Sequence, residues 1–178
     1  MRIIAGSRKG ARIFAPRGRD TRPTADRVRE AAFNLVGPVD DATVLDLFAG
    51  SGAMGLEALS RGARSCVFVE SERDACRTIE RNLDKLGLSG ATVLCRDASA
   101  ALASEAAAAR RYDLVLLDPP YGSFSAMTTA FASYLPAVLA EDGLLVVETS
   151  ARDEPVLPLA LRTSRRYGAA RLTLFEHP

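Results

Sequence analysis

Histidine and tryptophan are almost missing from this chain. The 178 residues include one histidine, His177, and no tryptophan. Because His177 is next to last, the sequence predicts that any catalysis proceeds without a histidine base or a histidine-bound metal. The three cysteines, Cys66, Cys76 and Cys95, lack the spacing of a zinc site or a redox pair. We expect each to be a small apolar core residue in a reducing compartment.

Long hydrophobic runs are also absent. No apolar stretch approaches the roughly 20 residues of a membrane span, and residues 1–6 lack the apolar core of a signal peptide. The composition, 48% hydrophobic and 25% charged, is that of a globular domain that can bury a core without disulfides or metal. We therefore expect a cytoplasmic monomer with no metal and no membrane segment.

Positive charge is concentrated near the N-terminus. The net charge is +1, yet residues 1–36 hold nine basic and three acidic residues. This segregation favours contact with nucleic acid, and a solvated hairpin with chance charge is the alternative. The residues that we expect to contact nucleic acid are Arg2, Arg8, Lys9, Arg12, Arg17, Arg19 and Arg22.

The N-terminal residues are predicted to form a small extension. Runs 2–5 and 11–14 predict a hairpin, and residues 16–23 predict a loop. Thr24 is predicted to cap a helix that stops at Gly37. We divide the chain into a basic hairpin extension, residues 1–22, and an α/β domain, residues 23–178. We expect residues 1–20 to lie outside the core, so that their removal leaves a folded protein.

Strand-like and helix-like runs alternate from residue 43 onward. The strand-like runs are apolar throughout, which is typical of a parallel sheet covered on both faces. Predicted strands are 43–48, 66–70, 92–95, 112–118 and 143–148, and predicted helices are 53–61, 72–86, 98–109 and 123–139. Runs 159–165 and 170–176 predict a closing antiparallel pair.

A glycine-rich turn follows the first predicted strand. Gly50, Gly52 and Gly55 match G-x-G-x-x-G, and Glu70 ends the second strand 20 residues after Gly50. The pattern predicts an adenosine-type cofactor across this turn, with the Glu70 carboxylate on the ribose hydroxyls. The residues expected to line the cofactor are Asp46, Phe48, Ala49, Gly50, Ser51, Gly52, Glu70, Asp97 and Ala98.

Acidic residues favour S-adenosylmethionine over a dinucleotide. Asp46 places a carboxylate beside the loop, where it attracts a cationic amino group and repels a pyrophosphate. Asp97 and Ala98 follow the third strand and suit the adenine amine. Helix capping is the alternative for both aspartates. Glu148, at the end of the fifth predicted strand, is expected to be structural.

The motif Asp118-Pro119-Pro120-Tyr121 follows the fourth predicted strand. Ligands bind at the carboxyl edge of open α/β sheets. Proline lacks an N–H and fixes φ, so the chain is stiff here and the Pro119 carbonyl stays available. We expect Asp118 and this carbonyl to accept the two N–H bonds of an amino group on a flat base, with Tyr121 stacked on the base. An ordinary proline-rich turn is the alternative.

These motifs resemble a known family. Segments 46–52, 118–121, 22–30 and 55–63 are similar to those of the small, single-domain bacterial 16S ribosomal RNA guanine-N2 methyltransferases, and the resemblance covers nearly the whole chain. It implies a Rossmann-like class I S-adenosylmethionine-dependent fold, with a mostly parallel seven-stranded sheet and a C-terminal antiparallel strand. It implies ribosomal RNA or the small ribosomal subunit as partner. It also implies that Arg22 and Thr24 lie over the cofactor or the target.

Three other functions stay open at this point. DNA adenine-N6 methyltransferases share the Asp-Pro-Pro-Tyr motif, but they usually need a separate target-recognition region, for which this chain leaves only its basic N-terminus. An NAD-binding oxidoreductase would share the glycine-rich turn. A catalytically silent RNA-binding module would have little reason to keep the motif residues.

Overall fold

The computed structural model describes residues 1–16, 23–120 and 124–177, with the backbone alone at residues 23–25 and 125. After a 3-10 turn at Gly6–Arg8, the helices are α1 (Pro23–Val36), α2 (Ala53–Ser60), α3 (Arg73–Leu86), α4 (Ala98–Ala107) and α5 (Phe124–Val138). The strands are β1 (Thr43–Leu47), β2 (Ser65–Glu70), β3 (Ala91–Cys95), β4 (Tyr112–Leu117), β5 (Leu139–Ser150), β6 (Ala160–Tyr167) and β7 (Ala170–Glu176).

The strands form one sheet in the order β3-β2-β1-β4-β5-β7-β6. Strands β1 to β5 pair in parallel, and β7 runs antiparallel to both β5 and β6. The predicted seven-stranded sheet with a C-terminal antiparallel strand is confirmed. The chain places β2 and β3 on one side of β1 and then crosses to place β4 and β5 on its other side, so the strand order switches between β1 and β4. Ligands of open α/β sheets bind at such a switch point, at the carboxyl ends of the strands.

Helices cover both faces of the sheet, as the continuous apolar strands predict. On one face, Phe68 of β2 and Ile79 of α3 are fully buried in a cluster that also contains Phe33 of α1. On the other face, Val115 of β4 packs in a second cluster with Phe131 of α5. Residues 1–16 and helices α1 to α3 therefore lie on one side, and α4 and α5 lie on the other.

Strand β5 is longer than predicted. It begins at Leu139 rather than at residue 143, and its register against β4 shifts between Tyr112 and Leu114. The reason is that Glu141 and Asp142 are exposed and interrupt the apolar run that the prediction follows. Both acids lie in a bulge between Leu139, which pairs with Tyr112, and Leu144, which pairs with Leu114, so backbone pairing with β4 resumes on their N-terminal side.

Helix α1 begins at Pro23, so the prediction that Thr24 caps it is wrong. Thr24 lies inside the first turn, and its side chain is outside the described part. Proline suits the first helical position because its φ is already helical and the N–H that it lacks would have no partner there. The helix ends at Val36 and is followed by Gly37 with a φ of 88°, as predicted.

The N-terminal segment, residues 1–16, forms less of a hairpin than predicted. It has one antiparallel bridge, between Arg2 and Arg12. The Ile3 N–H donates to the Ala11 carbonyl at 2.9 Å, so pairing continues beside this bridge. The amides of Ile4 and Ala5 donate to the two carboxylate oxygens of Glu57, at 2.8 and 2.9 Å, so a side chain of α2 holds the end of the first run.

The N-terminal segment also contributes to the core. Ile3 and Ile13 are 1% and 6% exposed and belong to the cluster that contains Phe68. The expectation that residues 1–20 lie outside the core is therefore wrong for these two side chains. The predicted division after residue 22 falls beside residues 17–22, which the structure does not describe, and it stays a prediction.

The cysteines do not all have the predicted burial. Cys66 and Cys76 are buried, and burial raises the pKa of each thiol. Cys95 is exposed, because it ends β3, the edge strand of the sheet. Within the described ranges, no helix has the length and apolar character needed to cross a membrane.

Candidate functional site

The turn between β1 and α2 is built from left-handed backbone. The φ angles of Phe48, Gly50 and Gly52 are 61°, 57° and 78°. Glycine adopts this conformation freely, whereas for Phe48 it costs about 1–3 kcal/mol. The Phe48 ring is held edge-on against Phe131 of α5, with 6.4 Å between ring centroids. The turn predicted from the glycine spacing is thus present, and it carries local strain that packing holds in place.

The third glycine of the motif serves packing. A Cβ on Gly55 would lie 2.3 Å from the ring of Phe68, so only glycine lets α2 approach β2 this closely. The Gly55 N–H donates to an Asp46 carboxylate oxygen at 2.9 Å. Asp46 therefore does bind the first turn of the helix, from the strand rather than from the capping position. This bond engages one of its two oxygens.

Glu70 joins the end of β2 to the glycine-rich turn. Its side chain is 6% exposed. One carboxylate oxygen accepts the Gly50 N–H at 2.8 Å, and the other accepts the Glu72 N–H at 2.9 Å. A carboxylate has about four acceptor positions. The Ser71 hydroxyl is a weaker donor to the second of these oxygens, at 3.5 Å. The three contacts orient Glu70, and the oxygen that binds Gly50 retains capacity for a further hydroxyl donor.

Four carboxylates share one face of the sheet at the carboxyl edge. Asp46 pairs in register with Leu116, and Asp118 lies two residues beyond Leu116. The register of β2 and β5 puts Glu70 and Glu148 at the level of Asp118 on their own strands. Because side chains alternate along a strand, all four acids belong to the same face. We call this set, Asp46, Glu70, Asp118 and Glu148, the acidic edge.

Burial and neighbouring negative charge raise the pKa of two members of the acidic edge. Burial, followed by the charges of Asp118 and Glu70, raises the pKa of Asp46 from 3.8 to about 7, despite the hydrogen bond from Gly55. Burial and the charge of Asp118 raise the pKa of Glu148 from 4.5 to about 8. Both shifts mean that negative charge is costly here, so a cation at this edge would be favoured.

Asp97 occupies the capping position of α4. Its side chain accepts the Ala100 N–H at 2.9 Å and is exposed, whereas Ala98 is buried. Helix capping, the alternative considered for Asp97, is therefore present. The cap leaves this carboxylate accessible after the end of β3, two residues past Cys95, which is the register partner of Glu70.

The motif that follows β4 lies next to the switch point. Asp118 and Pro120 are exposed, and Pro119 is buried. Tyr121 lies outside the described residues. Strand β4 pairs with β1, so Asp118 follows the strand that borders the one leading into the glycine-rich turn. The structure thus brings the two motifs of the sequence to one edge.

The structure describes four of the seven residues that are predicted to contact nucleic acid. Arg2, Lys9 and Arg12 are exposed. Arg8 is also exposed, and its guanidinium donates to the backbone oxygens of Leu86 and Gly87, which closes the end of α3. The remaining three, Arg17, Arg19 and Arg22, are outside the described residues.

Sequence analysis did not identify Asn82 and Glu57 as buried polar residues that support the site. Asn82 is fully buried, accepts the Phe14 N–H at 2.7 Å, and donates to the backbone oxygens of Phe14 and Ser51, each at 3.0 Å. Glu57, also fully buried, accepts from the N-terminal segment and pairs with Arg61 at 2.8 Å. Each is a polar residue among the apolar positions of its helix, which is the signal that could have identified it.

In the described ranges, no group of three or more His, Cys, Asp or Glu residues is arranged so that it could hold a metal ion.

Comparison with known proteins identifies the family. The sequence profile described as "Conserved hypothetical protein 95" matches residues 1–176. The chain belongs to this family. A Bacillus subtilis (strain 168) protein named as a candidate rRNA methyltransferase, YlbH, is 39% identical over 183 residues, which span 99% of this chain and 98% of that protein. The ribosomal RNA small subunit methyltransferase D of Escherichia coli (strain K12) is 36% identical over 160 residues, 89% of this chain and 79% of that one.

Solved structures agree with this membership. A candidate methyltransferase of Escherichia coli, yhhF, superposes with a TM-score of 0.86 at 33% identity, over 99% of this chain and 97% of that one. A Thermus thermophilus protein, TTHA0928, gives a TM-score of 0.84 at 31% identity, over 99% of both chains. The predicted class I methyltransferase fold and the resemblance to the small bacterial rRNA methyltransferases are confirmed.

Proposed function

We propose that this protein is an S-adenosylmethionine-dependent methyltransferase that methylates the exocyclic N2 amino group of a guanine in 16S ribosomal RNA. The acidic edge beside the glycine-rich turn carries the proposal, because it favours a cationic cofactor. The relatives named as ribosomal RNA methyltransferases support the substrate class. We propose that it acts as a cytoplasmic monomer on ribosomal RNA or on the small subunit.

The residues fit this cofactor. S-adenosylmethionine supplies a methyl group on a cationic sulfonium. Gly50 and Gly52 leave the backbone open to close approach, and Glu70 is oriented to accept hydrogen bonds from ribose hydroxyls. Asp46 is positioned to attract the amino group, and the exposed Asp97 to bind the adenine amine. A dinucleotide would instead bring a pyrophosphate to the acidic edge, which argues against an oxidoreductase.

The target amino group is held by the motif after β4. A guanine N2 lone pair is delocalised into the ring and is a poor nucleophile. Asp118 and the Pro119 carbonyl accept its two N–H bonds and so direct the lone pair toward the methyl group, with the reacting atoms about 3–3.5 Å apart. As the nitrogen gains the methyl group and the sulfonium–methyl bond breaks to leave a neutral thioether, Asp118 would receive the proton that the nitrogen loses. Stacking of the base on Tyr121 completes the proposed site.

The base has to be presented to this edge from outside a helix. A single-stranded or flipped guanine costs a few kcal/mol to extrude from a stack. The exposed Arg2, Lys9 and Arg12 are suited to offset that cost through phosphate contacts. The DNA adenine-N6 alternative shares the chemistry, but the relatives favour RNA.

Methylation of total RNA tests the proposal. RNA from a strain that lacks the gene is incubated with the protein and labelled S-adenosylmethionine, and the nucleosides are then separated. We expect label in N2-methylguanosine from 16S RNA, and none when RNA from the parent strain is used. DNA from the same strain is offered in a parallel reaction. Label in its adenine, or no incorporation into any RNA together with tight binding of NADH, would overturn the proposal.

A further inference from the structure

Phe14 presents an aromatic ring on the surface beside two cations. Its side chain is 39% exposed. The guanidinium carbon of Arg81 and the Nζ atom of Lys85 each lie 4.5 Å from the centre of the ring. We call these three residues the Phe14 platform. The contact between a cation and the face of an aromatic ring is favourable by itself, so we expect the platform to keep its shape when no partner is bound.

Buried hydrogen bonds fix the platform in place. Asn82 lies one residue after Arg81 on α3 and forms hydrogen bonds with both the N–H and the carbonyl of Phe14. Its amide also donates to Ser51 in the glycine-rich turn. The ring is therefore held by a rigid helix rather than by a loop, and its support continues into the candidate cofactor site.

Positive charge predominates on the side of α3 that faces Phe14. Arg77, Arg81 and Lys85 follow each other at four-residue spacing, so they form one row along α3. Arg77 pairs with Asp74 at 3.4 Å, whereas Arg81 and Lys85 lie over the Phe14 ring. The acids Glu80 and Asp84 each precede a member of the row by one residue, which turns them about 100° away from that member, opposite to Asn82. The exposed Arg12 is two residues from Phe14 and extends the positive surface onto the N-terminal segment.

We propose that the Phe14 platform binds RNA outside the methylation site, with a base against the exposed part of the ring and the phosphates on Arg81 and Lys85. An aromatic face flanked by cations matches unpaired RNA, whose bases stack on aromatic side chains and whose backbone is anionic. The inference rests on the proposed function for its choice of RNA. It extends the RNA surface from the N-terminal segment to α3, which sequence reasoning did not include.

Binding of the full-length protein to 16S RNA transcribed in vitro, measured across a salt series, tests the platform. The variant Arg81→Gln with Lys85→Gln removes two charges, so we expect the salt slope to fall by about two and affinity at low salt to fall about tenfold or more. Phe14→Leu should weaken binding about tenfold while it changes the salt slope little. The matched control, Arg165→Gln with Arg166→Gln, removes two exposed charges from β6 and should leave both quantities as in the wild type.

The outcomes separate this inference from the proposed function. Binding of S-adenosylhomocysteine and the maximal methylation rate at saturating RNA should be unchanged in the α3 variant. A wild-type protein that methylates RNA, with an α3 variant whose affinity and salt slope match the control, would overturn the platform alone. Weakened binding to assembled small subunits but not to naked RNA would mean that the platform contacts protein, and would also overturn it. Failure of the wild type to methylate any RNA would overturn the proposed function, and the binding series would still decide the platform.

Discussion

The Gly50 N–H donates to the Glu70 carboxylate at 2.8 Å, so the end of β2 holds the glycine-rich turn at the end of β1. The residue proposed to bind ribose therefore also shapes the loop that we propose the cofactor crosses. Replacing Glu70 changes two things at once, and variants have to be chosen to separate them.

Glu70→Gln and Glu70→Ala together distinguish the two contributions. Glutamine keeps one acceptor oxygen, whereas alanine removes both, and a lost charge-assisted hydrogen bond is worth about 1.5–3 kcal/mol. We expect affinity for S-adenosylhomocysteine, measured by calorimetry, to fall about 10- to 100-fold in Glu70→Ala and less in Glu70→Gln. Glu72→Gln, an exposed neighbour, is the control. An unchanged dissociation constant in Glu70→Ala would assign Glu70 a purely structural role.

Asp118→Asn should stop methyl transfer without much change in cofactor binding. The amide cannot accept a proton from the target nitrogen, and general-base contributions are about 10²- to 10⁴-fold in rate. Single-turnover methylation at saturating RNA measures this loss, and calorimetry measures the cofactor. Asp142→Asn, at an exposed position toward the other end of β5, serves as the control. Wild-type turnover in Asp118→Asn would show that the motif does not act on the amino group.

Cofactor binding and folding should respond to pH in opposite directions. Because the pKa of Asp46 is raised to about 7 and that of Glu148 to about 8, their stabilising contribution is present below their ordinary pKa values and is lost as pH rises through 7 and 8. The melting temperature of the ligand-free protein should therefore fall between pH 5 and 8.5. A cation prefers the ionised carboxylates, so affinity for S-adenosylmethionine should rise, by up to about tenfold from pH 6 to 8 for Asp46 alone.

Asp46→Asn isolates that pH dependence, because the amide does not ionise. Its S-adenosylmethionine affinity should be weaker and flatter with pH than that of the wild type. A wild-type affinity that stays constant from pH 6 to 8 would contradict the proposal that the acidic edge binds a cationic group.

Ile3→Ala should destabilise the fold, while Ile4→Ala should matter less. Ile3 is 1% exposed, and deletion of a buried isoleucine side chain to alanine costs about 2–5 kcal/mol. Ile4 is only partly buried and provides the matched comparison. Urea unfolding measures both. Equal free energies of unfolding for the two variants would mean that the N-terminal segment is not part of the cooperative core.

Removal of residues 1–20 should have a larger effect than Ile3→Ala. It uncovers the core under Ile3 and Ile13 and takes away the two amides that Glu57 accepts. Stripping hydrogen-bond partners from a buried carboxylate is costly. The structure thus reverses the expectation that this deletion leaves a stable protein, and point variants such as Arg2→Gln are the sounder probes of RNA contact.

The sequence predicted the parts of the fold that local patterns determine. Apolar runs such as 112–117 identify buried parallel strands, and the spacing of Gly50, Gly52 and Gly55 identifies the turn. It failed where one long-range contact decides the outcome. Ile4 and Ala5 have strand-like neighbours, but their amides bind Glu57, more than 50 residues away. No local pattern encodes that pairing.

The candidate site also combines features that local sequence predicts with features that depend on long-range pairing. The position of Asp118 after a buried strand was predictable, because a strand followed by two prolines has few other conformations. The raised pKa of Glu148 was not, because it depends on the register of β5 against β4 and on the charge of Asp118 across that pairing. The same holds for Cys95, whose exposure follows from β3 being the edge strand.

The place of β7 between β5 and β6 affects how the chain folds during its synthesis. β7 follows both of its neighbours in sequence, so during synthesis β5 presents an unpaired edge until residues 170–176 have emerged. Unpaired strand edges are templates for aggregation. Nascent chains stalled before residue 170 should therefore depend on chaperones.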